Sequence, residues 1–161
     1  MLQSITKICG VLNIPGIITL EYTPATWINA NLWEDWTVNG NQATSITWAD
    51  DNNQWLSMPL LGESIRWQEQ ESNSLDGTTY SQQLSGILPN VRVDVQAIFQ
   101  EMDRYRFVLR LKDKNKKVWI IGSPNNPLTF SATATNGDDN SYQIKFEGVA
   151  VRRTRGYVPT L

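Results

Sequence analysis

Apolar residues recur at every second position through much of the chain, and a period of two predicts β-strands. The alternating or short apolar runs lie at 65–71, 78–88, 107–111, 118–121, 128–135 and 142–147. Clusters of Asn, Asp and Gly at 73–77 and 136–140 separate some of these runs, and such residues favour turns. The pattern predicts a mainly β fold of antiparallel hairpins, either a β-sandwich or a partly open barrel.

The first sixty residues predict two more hairpins with an irregular segment between them. The first hairpin has its turn at 13–16, with Ile5 and Ile8 before the turn and 17–20 after it. The second covers 45–60 and turns at 50–53, where Asp and Asn side chains bond their own backbone. The segment around 27–36 has no clear period, so it is expected to form a short helical turn or a loop folded over the core.

One packed helix is predicted at 91–102, just after Pro89, with Asn90 as its N-cap. Its apolar positions recur at helical spacing and form a single stripe. The members of this stripe are Val91, Val95, Ile98 and Met102.

The end of the chain predicts a bulge followed by a tail. At Gly148 the parity of the alternation shifts, and Val149 and Val151 become the apolar set, as a β-bulge would produce. Residues 152–161 are interpreted as an extended C-terminal tail. We find no linker, internal repeat or low-complexity segment, so residues 1–161 are predicted to form a single domain.

Composition narrows the classes of function. The 161 residues carry a formal net charge of -2, which argues against a dedicated nucleic-acid binder. Cys9 is the only cysteine, so an intrachain disulfide is impossible. The apolar stretch 8–20 is interrupted by Pro15 and Gly16 and is interpreted neither as a signal peptide nor as a membrane span. We therefore expect a soluble protein.

The sequence contains no histidine, which removes the commonest general base and the commonest metal ligand. No nucleophile motif or phosphate-binding loop is present, so we expect a non-enzymatic protein without cofactor or metal. Glu69 and Glu71 share one side of a strand, and the simplest interpretation is a solvated strand face. The acidic pairs at 50–51 and 138–139 are explained by turn chemistry.

Seven tryptophans and an arginine-rich C-terminal segment supply the candidate binding residues. Trp67 and Trp119 are assigned to the core, whereas the remaining rings could stack on sugars or anchor a subunit interface. The basic segment is interpreted as a subunit contact, because the surrounding chain is acidic. The interface candidates are Trp33, Trp36, Trp55, Arg152, Arg153, Arg155 and Tyr157.

Residues 105–157 resemble structural proteins encoded by phages and prophages of Bacteroidetes-type bacteria. The resemblance rests on WIIG at 119–122, PLTFSA at 127–132, YQIKFEG at 142–148 and the arginine-bearing end. Such proteins belong to the tail or head–tail region of the virion, and their hairpins around one helix are similar to tail-tube and tail-terminator folds. The resemblance implies a ring of identical subunits in contact with neighbouring virion proteins, through which DNA passes without specific recognition.

Two functions remain open from the sequence. The first is a non-enzymatic ring subunit of the phage tail tube or head–tail connector, made in the bacterial host cytoplasm and incorporated into the virion, with no membrane partner. The second is a carbohydrate- or surface-binding β module that uses the Trp-rich N-terminal half.

Overall fold

A computed structural model describes residue 4 and residues 15–33, 42–43, 46–137 and 139–157. It contains ten strands and one helix in the described residues, numbered in chain order. The elements are β1 (Ile17–Pro24), β2 (Gln42–Ala43), β3 (Leu56–Met58), β4 (Arg66–Ser74), β5 (Gly77–Pro89), α1 (Val93–Met102), β6 (Arg106–Asp113), β7 (Val118–Ile121), β8 (Leu128–Asn136), β9 (Asn140–Ala150) and β10 (Arg155–Tyr157).

All ten strands belong to one hydrogen-bonded sheet that branches at β6. The main path runs β2-β10-β7-β6-β8-β9-β5-β4, and β1 joins the free side of β6 with β3 beyond it. Strand β6 can contact both β7 and β8 on one side because each partner uses a different half of it. Strand pairing is antiparallel except between β10 and β2. The mainly β class with one helix is therefore confirmed.

Two branches leave β6: one contains β7, β10 and β2, and the other contains β8, β9, β5 and β4. The sheet curls so that these two branches enclose the main core. Trp67 of β4 stacks on Trp119 of β7, with ring centroids 6.4 Å apart, although the two strands lie on opposite branches. Between the branches, Phe107, Phe130 and Phe146 contact one another with centroid distances of 5.2 to 6.3 Å. These rings are buried together with the apolar face of α1, so one continuous core holds both branches and the helix.

A second, smaller apolar cluster covers the opposite face of β6 and β7. Val108 and Ile120 point away from the main core and are fully buried by residues from 25–33 and 46–55. The first of these segments forms two 3-10 turns, Ala25–Trp27 and Ala30–Leu32. The irregular region is thus a layer folded over the sheet, as one of the two sequence interpretations proposed.

Two predicted hairpins agree closely with the structure. Strands β4 and β5 pair without a register break from Arg66↔Ser85 to Ser74↔Gly77, and Gly77 has the positive φ of 122° that a tight turn requires. Strands β6 and β7 flank a turn in which Asp113 Oδ1 accepts the backbone N–H groups of Asn115 and Lys117. Gly77 thus closes the turn of the first hairpin, and the Asp113 side chain closes the turn of the second.

The predicted hairpin at 45–60 is wrong. Strand β3 pairs with β1 instead, and the segment before the turn contributes only a single bridge between Trp48 and Ile28. The turn itself is present, with Asp50 accepting from the backbone of Asn52 at 2.9 Å. The arm before the turn bonds the 27–29 segment instead, with Asn29 N donating to Thr47 O and Ala49 N donating to Trp27 O, while Trp48 and Trp55 still pack edge to face over the second cluster. For the first predicted hairpin, the arm with Ile5 and Ile8 lies outside the described residues.

The helix is confirmed, but its start and its buried face differ from the prediction. Asn90 is not the N-cap: it adopts a left-handed conformation (φ 67°), and α1 begins after Arg92. The hydroxyl of Tyr142 accepts from the N–H of Arg92 and donates to its carbonyl, which anchors this end. The buried positions are Val95, Phe99 and Met102, whereas Ile98 is half exposed.

The predicted bulge at Gly148 is also wrong. Strand β9 pairs with β5 in constant register from Tyr80↔Ala150 to Pro89↔Ser141, so the alternation continues through Gly148. Val149 is therefore exposed, and Ala150 is buried. Glycine is needed for packing, because a Cβ at this position would lie 2.8 Å from Leu128 Cδ2 and 3.1 Å from Pro127 O.

The expected extended tail is instead a crossing segment that leads into a strand. After β9, residues 151–154 pass over β4 and β5 and enter β10, which pairs with β7 and β2. Residues 158–161 lie outside the described part of the chain. The C-terminal segment therefore joins the two branches of the sheet.

The aromatic core predicts the effect of truncation on β9. Phe146→Ala should lower the free energy of unfolding by about 3–5 kcal/mol, because a fully buried ring is lost and a cavity remains. Val149→Ala, three residues further along the same strand but exposed, should change it by less than about 0.5 kcal/mol. Urea unfolding followed by tryptophan fluorescence measures both, and equal losses would contradict the assigned parity of β9.

Candidate functional site

A polar cluster joins the crossing segment to the inner face of the β4–β5 hairpin. Glu69 Oε2 accepts hydrogen bonds from Thr154 N and Thr154 Oγ1, each at 2.7 Å, and from Gln82 Nε2 at 3.1 Å. The Glu69 side chain is only 10% exposed. Because burial without partners would cost several kcal/mol, these donors are what allow a carboxylate at this position.

Arg153 closes the cluster from outside. Its guanidinium donates to Glu71 Oε2 at 2.5 Å and lies 3.6 Å from Glu69 Oε1. The same group sits over the ring of Tyr80, 4.6 Å from the centroid. Arg153 thus neutralises two carboxylates and covers an aromatic ring, an arrangement that favours arginine because of its planar fork and its weak hydration.

The interpretation of Glu69 and Glu71 as a solvated strand face is therefore wrong for Glu69. Glu69 and Gln82 are cross-strand partners on the inner face, and the crossing segment lies over them. A carboxylate whose reactive oxygen already accepts three hydrogen bonds is a structural anchor and is poorly placed to take a proton from a substrate. The cluster positions the C-terminal segment.

The tryptophan candidates lie on the second cluster. Trp55 is half-buried, 5.8 Å from Trp48, and the guanidinium of Arg110 lies 4.9 Å from its ring centroid. Arg110 is held in turn by an ion pair with Glu21, its cross-strand partner on β1. Trp33 is also half-buried against this cluster. These rings cover the sheet; Trp36 lies outside the described residues.

The remaining arginine-segment candidates are brought together by the crossing segment and β10. Arg152 and Arg153 are both exposed, and Arg153 contacts the hairpin through Glu71 and Tyr80. Arg155 pairs through its backbone with Ile120, and Tyr157 pairs with Ala43. The structure therefore groups 152–157 at the junction of the two branches, where Arg155 is the backbone partner of Ile120 in the second cluster.

Among the described residues, no group of three or more His, Cys, Asp or Glu side chains is arranged to hold a metal. Asp50 and Asp51 occupy the expected turn, where Asp50 bonds Asn52. Asp139 is described, whereas Asp138 is not. No helix in the described part of the chain is long and apolar enough to cross a membrane.

Sequence reasoning missed one further feature, the outer edge of β4. Strand β4 is the last strand of the sheet path, and within the described ranges no other strand pairs with its outer edge. The hairpin extends past β9: the pairing of β5 with β9 ends at Tyr80, while the pairing with β4 continues to Gly77. Its tip presents Leu75 fully exposed. Alternation predicted the strand but could not show which edge is unpaired.

No family model, curated protein or solved structure matches this chain.

The Glu69 cluster predicts a measurable contribution to stability. Glu69→Gln should lower the free energy of unfolding by about 1–3 kcal/mol, because the amide keeps only one acceptor oxygen and its NH2 group must face either the donors of Thr154 and Gln82 or the guanidinium of Arg153. Glu147→Gln is the matched control, since Glu147 forms only an exposed ion pair with Lys145 and should change stability by less than about 1 kcal/mol. Urea titration of both variants provides the comparison, and an unchanged midpoint for Glu69→Gln would exclude the anchoring role.

Proposed function

We propose that the chain is a non-enzymatic structural subunit of a phage virion that assembles through strand β4 into a ring of the tail tube or the head–tail connector. The observation that carries the proposal is the outer edge of β4, with which no strand of the described residues pairs. An open edge presents a row of free N–H and C=O groups and is a template for pairing with another chain.

Strand β4 has few of the features with which natural proteins protect an edge; the inward-pointing carboxylates of Glu69 and Glu71 are one, and both are paired with Arg153. Its sequence RWQEQESNS contains no Lys and no Pro, and all nine residues pair with β5 without a bulge. Among its exposed outward positions only Arg66 is charged, and the others, such as Gln68 and Gln70, are uncharged. Such an edge pairs readily with a neighbour, and an assembly that uses it leaves fewer edges open.

The projecting hairpin adds a second element to the same surface. The distal part of β4 and β5, residues 70–79, extends beyond the strands that support its base. Leu75 at the tip supplies an apolar group that a neighbouring subunit can cover. An edge with an adjoining arm forms a heterologous contact, which closes into a ring when the rotation between subunits permits.

The anchored crossing segment supports this use of β4. Glu69 and Glu71 are held by Arg153 and Thr154, so the inner face of the strand is tied to the far branch of the sheet. A rigid edge loses less conformational entropy on association than a mobile one. The polar cluster therefore prepares β4 for pairing while its outer edge stays accessible.

The alternative of a carbohydrate-binding module requires exposed aromatic faces. All six tryptophans in the described residues are half-buried, and Trp48, Trp55, Trp67 and Trp119 each pack against another ring. No observation on this surface favours a sugar over a protein neighbour.

The edge hypothesis predicts how charge at β4 changes assembly. We expect the protein at micromolar concentration to form a discrete oligomer, and Gln68→Lys combined with Gln70→Lys to shift it to monomer. Lysine on an edge strand opposes pairing with a second chain through charge and desolvation. Size-exclusion chromatography with light scattering measures the mass, and thermal unfolding verifies that the variant is folded.

The matched control is Gln83→Lys combined with Gln143→Lys. Both glutamines are exposed on the same sheet, but their strands are paired on both sides, so the net charge changes equally without touching the β4 edge. This control should remain oligomeric. A monodisperse wild-type monomer, or equal dissociation of both double variants, would refute assembly through β4.

A further inference from the structure

A small cavity opens beside the C-terminal half of α1, where the helix meets β1 and β6. Its volume is about 130 Å³. Its walls include four aromatic rings and one carboxylate, contributed by Tyr22, Trp27, Tyr105, Phe107 and Glu101. The cavity lies on a different part of the molecule from the β4 edge, and its chemistry does not depend on the proposed assembly.

Two of the rings are fixed by the core. Tyr22 and Phe107 are buried, and their rings meet at 79° with centroids 5.5 Å apart, which forms a rigid corner. Trp27 is half-buried and Tyr105 is at the exposed rim. An aromatic ring attracts a cation that sits over its face, and Trp does so most strongly.

The only charged group that lines the cavity is negative. Glu101 lies on the exposed side of α1, and its carboxylate raises the pKa of Tyr22 further above the value that burial already produces. No described residue forms an ion pair with Glu101, and the nearest cations in sequence, Arg104 and Arg106, do not line the cavity. The carboxylate and the rings therefore complement a positive charge that this part of the chain does not supply.

We propose that this cavity binds an organic cation whose charged group has the size of a trimethylammonium or guanidinium group. The volume is that of roughly four water molecules in the liquid and is well below the ~300 Å³ at which pockets for drug-sized molecules begin. A compact head group with an apolar outer surface fits such a space. The carboxylate of Glu101 disfavours an anion.

Choline titration tests the proposal on the intact protein. The probe is choline chloride, and its neutral isostere 3,3-dimethylbutan-1-ol and sodium chloride are the reference additives. The readout is the indole N–H resonance of Trp27 in a nitrogen-15 NMR spectrum, assigned with Trp27→Phe. Choline should shift this resonance saturably, whereas the isostere and the salt should not. An equal response to the neutral isostere would overturn the proposal.

The carboxylate of Glu101 provides a second test of the proposal. Glu101→Gln should weaken choline binding about fivefold or more, the effect expected for a partly exposed charge close to a cation. Asp103→Asn removes the same charge two residues further along, outside the cavity lining, and should leave the affinity unchanged. Equal affinities in wild type and Glu101→Gln would refute the carboxylate's role and, with it, the cation site.

A third arm identifies the source of the cation. If a lysine or arginine side chain of a second copy occupies the cavity, saturating choline will lower the oligomer mass measured by light scattering. If the ligand is a free small molecule, the mass will remain constant while the Trp27 resonance shifts. Both results support the site, and a resonance that choline does not move excludes it.

Discussion

Strand β6 is apolar on both faces, and the rest of the fold depends on covering both. Phe107, Val108 and Leu109 are consecutive and fully buried. Because consecutive side chains of a strand point to opposite faces of the sheet, each face of β6 needs an apolar layer. The curled sheet and α1 cover one face, and the Trp-rich segments cover the other. The sheet also branches at β6, where β7 and β8 pair with different halves of one edge. The tryptophans are thus explained first as a cover for this strand.

The sequence predicted the β-rich class, the β4–β5 hairpin and the helix, because polar and apolar residues contrast sharply there and glycine or Asx turns mark the ends. It failed where the deciding contact is distant. Gly148 was interpreted as a bulge because Val149 is apolar. The glycine is instead explained by Leu128, whose side chain occupies the space that a Cβ at position 148 would need. Glu69 looked solvated because the residue that binds it, Thr154, lies 85 positions away.

The two proposed binding features could not be predicted from the sequence, for different reasons. The β4 edge is continuous in sequence, but its availability depends on the order of strands in the sheet, which alternation does not reveal. The cation cavity combines residues from β1, a 3-10 turn, α1 and β6, and each of these aromatic residues alone is an ordinary apolar position. Glu101 alone is an ordinary solvated helix residue. Only their proximity gives them a shared chemistry.

The crossing segment also constrains the order in which the protein can fold during synthesis. Strand β10 pairs with β7, and Thr154 bonds Glu69, so neither contact can form before residues 151–157 leave the ribosome. Until then, the edge of β7 is open and a carboxylate on the inner face of β4 lacks its backbone donor. Contacts between residues far apart in sequence form slowly, because the intervening loop must be closed first. The nascent chain therefore carries an unfinished sheet until residues 151–157 have been synthesised.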